Sequence, residues 1–211
     1  MTENALFVLA GYLAGSLPFG YWLVRLRFGE DIRGHGSGNM GATNVWRSFG
    51  ARSGLAVAVL DLTKGLAPAL AASLAAGRVV GLIAGAAAML GHWRPLFLGF
   101  RRGGKMVATC GGVVIGIMPL VALVGLGVFA LVFLTTRYVS LASIVAAVAL
   151  IPTAILLDEP LAVVIFVGVA AVGIIWLHRG NIARLVRGQE RRVRLRRRRA
   201  GPVGPPEPRT R

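Results

Sequence analysis

Residues 36–47 read GSGNMGATNVWR, and their types and spacing suit one kind of chemistry, the holding of a phosphate. Gly36, Gly38 and Gly41 let the backbone turn so that successive N–H groups converge on an anion. Ser37, Asn39, Thr43 and Asn44 add neutral side-chain donors, and Arg47 brings a two-pronged cationic contact. The three glycines also spell GxGxxG, the dinucleotide fingerprint. That pattern has meaning only between a β-strand and a helix; here it follows an apolar run of membrane-spanning length, so the dinucleotide reading is rejected. For Gly41 and Ala42 alone, a tight turn that permits helix packing is an equal alternative.

A second anion loop is predicted at Gly103, Gly104 and Lys105, directly ahead of an apolar helix whose N-terminal amides and dipole favour negative charge. GxxxxGK[ST] is absent, so this is not a Walker loop. Asp61 and Lys64, in DLTKG, stand one helical turn apart inside an apolar span. Each charge facing lipid would cost on the order of 3 kcal/mol, so both are expected to face the protein interior as an ion pair that fixes helix register. Lys64 also has the reach to touch a substrate phosphate. His92, beside Trp93, reads as a hydrogen-bonded packing residue, with a ligand or proton shuttle as the alternative. Arg137, Tyr138, Ser140 and Ser143 form one further polar cluster, and His178, Asn181, Arg184 and Glu190 another. His178 and Asn181 share a face if the last helix continues past Leu177, and together can orient a phosphate or an acceptor hydroxyl. Glu190, among arginines, reads as a structural counter-charge. No HExxH, Cys/His cluster or close carboxylate set suggests a metal, and no GxSxG surrounds Ser37.

These residues must be positioned by apolar elements. At 211 residues, 55% hydrophobic, 15% charged and a mean hydropathy of +0.70, the chain is not an ordinary soluble globule. Apolar spans are predicted at 5–24, 53–76, 79–90, 107–116, 119–134, 139–157 and 161–177, giving an all-α membrane bundle of seven helices. Two of these are short for a full crossing. The run 107–134 is interrupted by Gly111, Gly112, Gly116 and Pro119, so it is split near Met118. With the N-terminus outside, seven spans put every Lys and Arg except Lys64 and Arg78 on the cytoplasmic side. A five-span arrangement would also keep the C-terminus inside, but leaves that sorting unexplained. The first span lacks a basic n-region and is not read as a cleaved signal peptide.

The formal charge of +16 is concentrated after the last span, where residues 179–211 hold twelve of the 24 Lys and Arg. With no aromatics there to stack bases, nucleic acid is not the expected partner. Anionic lipid headgroups are, at roughly 1 kcal/mol per basic residue near the surface. Residues 1–190 are taken as the membrane domain and 191–211 as a disordered Arg/Pro-rich cytoplasmic tail. Cys110, the single cysteine, allows no intramolecular disulfide and reads as a packing residue.

The chain resembles the bacterial acyl-phosphate:glycerol-3-phosphate acyltransferase family. The likeness is carried by SLPFGY, GSGNMGATNVWR, DLTKG, GHWRPLFLGF, the GGK loop, RYVSLASI and HRGNIARL, which together cover nearly all of the chain before its tail. The resemblance implies seven transmembrane helices, an acyl phosphate donor, an sn-glycerol 3-phosphate acceptor, and lysophosphatidic acid and phosphate as products. It implies no cofactor, no metal and no obligate protein partner. Ser37 and Arg47 match essential residues of its first motif, with Gly36, Gly38, Asn39, Thr43 and Asn44 in the same cradle. Gly103, Gly104 and Lys105 match the donor loop, His178 and Asn181 the last motif, and Glu190 a structural carboxylate; Ser140 is an additional substrate contact. One departure stands out. The family usually reads FRGGKGVAT where this chain reads FRRGGKMVAT, with an extra arginine before the glycines and Met106 in place of a glycine. Two other readings stay open at this stage: a transporter or flippase for a phosphorylated metabolite, and a lipid-binding relative that has lost catalysis.

Overall fold

The computed structural model describes residues 2–193, and among these the regular structure is entirely helical. The first apolar run becomes two helices, α1 (Thr2–Ser16) and α2 (Phe19–Phe28), because Pro18 lacks the N–H needed to continue the ladder. Arg25 and Arg27, just past the predicted span 5–24, therefore lie in the last turn of α2. A short amphipathic helix α3 (Ala42–Phe49) precedes the long α4 (Ala51–Ala76) and α5 (Arg78–Trp93). Beyond a polar loop come α6 (Val107–Ile117), α7 (Pro119–Thr136), α8 (Val139–Leu156), α9 (Leu161–Leu177) and α10 (Arg179–Val186). The break between α6 and α7 falls at Met118, with Pro119 opening α7.

Among the described residues five segments, Thr2–Phe28, Ala51–Ala76, Arg78–Leu98, Pro119–Thr136 and Val139–Leu156, are long and apolar enough to cross a bilayer. A sixth forms if Leu161–Leu177 and Arg179–Val186, bent by 61°, are one span. The segment expected at 79–90 extends into an adequate span, because its flanking polar residues remain helical. Only α6 stays short: its 11 residues rise about 16 Å against a hydrocarbon core of about 30 Å.

Lipid tails offer no hydrophobic drive between helices, so close backbone packing must hold the bundle. Gly11 and Gly15 of α1 meet the backbone of Ala84 and Ala88 on α5 so closely that a Cβ on either glycine would overlap a carbonyl. Larger side chains point outward instead, Leu74 and Leu156 being 80% and 81% exposed, as lipid-facing residues should be.

The connections sort to two ends. Asn39 reaches the carbonyl of Gly103, Lys105 reaches Asn181, Arg47 reaches the carbonyl of Arg191, and the Val193 N–H reaches the carbonyl of Arg137. These contacts gather the polar loops at one end. At the other, Arg78 joins Glu159 and the carbonyl of Ile117.

Candidate active site

The first polar loop is folded by its own side chains. The Asn44 amide donates to the carbonyls of His35 and Asn39 at 2.9 and 2.8 Å, and its Oδ1 accepts the Ser37 N–H at 3.0 Å. Asn44 is thus the knot of the loop, with its hydrogen-bonding capacity used internally. Gly36 holds φ at 59°, and a Cβ there would run into the Asn44 amide, so glycine is needed for both conformation and space. Buried Ile32, Met40 and Val45 anchor the loop, leaving Ser37 exposed at its rim. Asn39 accepts the Gly41 N–H at 2.8 Å and donates to the Gly103 carbonyl at 3.1 Å, joining the first loop to the third.

The third loop differs from expectation in one respect. The N–H groups of Gly103 and Gly104 donate to the carbonyls of Trp93 and His92, each at 2.9 Å, so neither amide is free for a phosphate. The glycines serve proximity instead: a Cβ on Gly104 would lie inside the His92 imidazole. Pinned this way, the loop directs Lys105 to Asn181, with Nζ 2.5 Å from Oδ1. Burial pulls the Lys105 ammonium down to about 8 despite the opposing pull of Glu190. Met106 caps α6 in the left-handed conformation, φ 66°, which explains why a glycine suits this position better.

The last motif also differs. The helix does not run straight past Leu177 but bends at His178, and α10 starts afresh. His178 Nδ1 lies 2.8 Å from the Ile174 carbonyl, an acceptor only, so Nδ1 carries the proton and donates. Asn181, in the first turn of α10, donates to Glu190 Oε1 at 2.8 Å, and Ser140 donates to the same oxygen at 3.0 Å. Arg184 donates to Oε2 at 2.7 Å. Burial alone would raise the Glu190 carboxyl, but the hydrogen bonds from Asn181, Arg184 and Ser140 outweigh it and hold the group below its ordinary value.

One cavity of about 650 Å³ unites these groups. Ser37, Asn39, Thr43, Asn44, Arg47, Lys105, Ser140, His178, Asn181 and Glu190 all lie on its wall. From there it continues between α6, α7 and α8, past Val114, Leu126, Phe129 and Leu150. The wall therefore changes from cationic and hydrogen-bonding to wholly apolar, as an amphiphilic ligand with a phosphate head requires. Among the described residues no group of three or more His, Cys, Asp or Glu is placed to hold a metal ion.

Asp61 and Lys64 form the expected interior ion pair, 2.8 Å apart. Lys64 also donates to the Leu17 carbonyl at 2.8 Å, where Pro18 has broken the helix, and it is not part of the cavity wall. Asp61 and His92 are on that wall, with Oδ1 and Nδ1 3.6 Å apart. This neighbourhood was missed in the sequence, since nothing in their spacing links a residue of α4 to one of α5. The apolar limb of the cavity was equally hidden, because its leucines and valines resemble those that face lipid.

Comparison with known proteins bears on this geometry. A family profile described as Glycerol-3-phosphate acyltransferase matches residues 5–188. The chain is 40% identical over 191 residues to a curated glycerol-3-phosphate acyltransferase of Geobacillus kaustophilus (strain HTA426), covering 90% of this chain and 96% of the relative. A counterpart in Roseiflexus sp. (strain RS-1) is 48% identical over 190 residues, covering 88% and 93%. Among solved structures, the glycerol 3-phosphate form of PlsY (YgiH), an integral membrane glycerol 3-phosphate acyltransferase, superposes with a TM-score of 0.87 at 42% identity, covering 90% of this chain and 96% of that one. Its lysophosphatidic acid form gives 0.83 at 41% identity, covering 90% and 95%.

Proposed function

The chain belongs to the glycerol-3-phosphate acyltransferase family, and from that membership we propose that it moves an acyl group from acyl phosphate to the 1-hydroxyl of sn-glycerol 3-phosphate, releasing lysophosphatidic acid and phosphate. The observation that carries this reading is the continuity of one cavity from a cationic mouth to an apolar groove. An acyl phosphate is amphiphilic in the same sense, and the acceptor is a small phosphate monoester suited to the mouth. A transporter needs a site reachable from both faces, whereas the polar groups here gather at one end.

In the proposed reaction the acceptor hydroxyl attacks the carbonyl of the mixed anhydride, the C–O bond to phosphate breaks, and phosphate leaves with the electron pair. Arg47 and Lys105 offset phosphate charge through this step. The hydroxyl proton passes to the donor's own phosphate. Ser37 at the rim, and His178 with its tautomer fixed by Ile174, orient the acceptor, while Asn181 holds Lys105. Gly36, Gly38, Asn39, Thr43 and Asn44 shape the cradle, and Ser140 acts through Glu190. Gly103 and Gly104 contribute by placing Lys105, and Lys64 as the counter-charge of Asp61. No cofactor takes part.

Seven alternating crossings, with the N-terminus outside and the cavity mouth cytoplasmic, fit the sorting of basic residues. The division at residue 190 is a reading of the sequence; Arg191 and Val193 bond to Arg47 and Arg137, while residues 194–211 of the Arg/Pro-rich tail lie outside the described residues and are assigned to anionic headgroups.

Purified protein given acyl phosphate and glycerol 3-phosphate should release lysophosphatidic acid and phosphate. No turnover, with transport of the phosphate ester into vesicles, would favour the transporter reading; lipid binding with neither activity would favour a lapsed enzyme. Trapping an acyl group on Ser37 would replace direct transfer by a two-step route.

A further inference from the structure

Beside the catalytic cavity, at the same end of the bundle, lies a second cleft of about 580 Å³ lined by Arg137, Arg191, Arg192 and Val193. Among the described residues three arginines line it and no acidic residue does. Arg137 closes α7 in the left-handed conformation, φ 65°, and its carbonyl accepts the Val193 N–H at 3.0 Å. Its Nη1 is enclosed and has no hydrogen-bond partner among the described residues. Enclosed donors of this kind are normally satisfied, because leaving one unmade costs on the order of 1–3 kcal/mol. Arg192 lies over the Tyr138 ring, 5.1 Å from its centroid, which restricts its stem before any ligand arrives. Ahead of Thr135 and Thr136, which directly precede Arg137, Leu131 and Leu134 of α7 are 65% and 58% exposed.

We infer that this cleft binds the phosphate headgroup of an anionic lipid, whose chains lie along the exposed face of α7. Guanidinium groups match phosphate oxygens in geometry as well as in charge. The segment 190–193 separates this cleft from the catalytic cavity: Glu190 lines the cavity, and Arg191 lines the cleft while its carbonyl accepts Arg47 Nη2 at 2.7 Å. A headgroup held here bears on the segment that positions Arg47. The site does not depend on which reaction the cavity performs.

The test uses the full chain in nanodiscs of phosphatidylcholine with or without phosphatidic acid, with retained lipid counted by native mass spectrometry. Phosphatidic acid should be retained in preference to phosphatidylcholine. Arg137→Gln and the exposed Arg192→Gln should each lower the cleft's share of that retention about tenfold, the loss of one charge-assisted contact. Lys105→Met, which disables the phosphate end of the catalytic cavity, should leave the cleft's share intact. Equal retention of the two lipids, or unchanged retention in Arg192→Gln, would overturn the proposal. Displacement of phosphatidic acid by inorganic phosphate at matched concentration would overturn the lipid assignment in favour of a free-phosphate site.

Discussion

Lys105 and Asn181 meet with Nζ 2.5 Å from Oδ1, although 76 residues separate them in the chain. The contact brings the cation of the third loop to the last motif, and Glu190 holds Asn181 from behind. Asn181→Ala should therefore lower kcat/KM for the phosphate-bearing substrates about 10- to 100-fold through misplacement of Lys105. Gly104→Ala, whose methyl would displace the loop from His92, should give a loss of the same order. Steady-state kinetics on variants with unchanged circular dichroism would check both; wild-type rates in either would detach Lys105 from these supports.

The ammonium of Lys105, pulled down to about 8 by burial, sets a pH limit. Below that value the free enzyme carries the charge proposed to bind phosphate, and above it the charge is lost. The kcat/KM profile should fall as pH rises through about 8, because this parameter reports the free enzyme. Lys105→Arg, whose guanidinium stays charged, should move that falling limb beyond pH 10 or remove it. An unchanged limb in the variant would assign it to another group.

Glu190 gathers Ser140, Asn181 and Arg184 on its two oxygens. Its depressed carboxyl makes the direction with pH definite: the stabilisation is present above the ordinary carboxylate range and fades as pH falls through the lowered value. Glu190→Gln should cost about 1–3 kcal/mol, since charge-assisted hydrogen bonds become neutral ones. Thermal melts in detergent at pH 7 and pH 4 would measure this, the gap between variant and wild type being smaller at pH 4.

Met106 sets a backbone preference against a packing preference. Its φ of 66° favours glycine, yet its side chain is only 7% exposed within the core. Truncation to Ala should cost about 2–5 kcal/mol by leaving a cavity. Met106→Gly should be about 1 kcal/mol more stable than Met106→Ala, because only glycine enters this region freely. Equal melting of the two would mean that the strain is absorbed elsewhere.

The Asp61–Lys64 pair is fully interior, at 2% and 4% exposure. Removing one partner strands the other charge, so Lys64→Met should destabilise by about 3–5 kcal/mol. The double variant Asp61→Asn with Lys64→Met should recover most of that loss. If the single variant retained wild-type thermal stability, the pair would have no structural role.

Much of this protein was determined by its sequence alone. Hydropathy marked the apolar helices and the break at Met118, because a bilayer imposes apolar runs and Pro119 imposes a start. The motifs around Ser37, Arg47, Lys105, His178 and Asn181 picked out groups that the fold brings to the wall of one cavity, because each lies on a short stretch whose residue types have few other uses in an apolar chain. Only the tertiary structure decided how those groups are used. That Asn44 knots its loop, that the amides of Gly103 and Gly104 are already taken, and that Asp61 lies against His92 all follow from contacts between elements with no sequence period in common. The apolar limb of the cavity belongs to the same class. A leucine lining the cavity and one facing lipid both meet apolar surroundings, and only the packing of α6, α7 and α8 tells them apart.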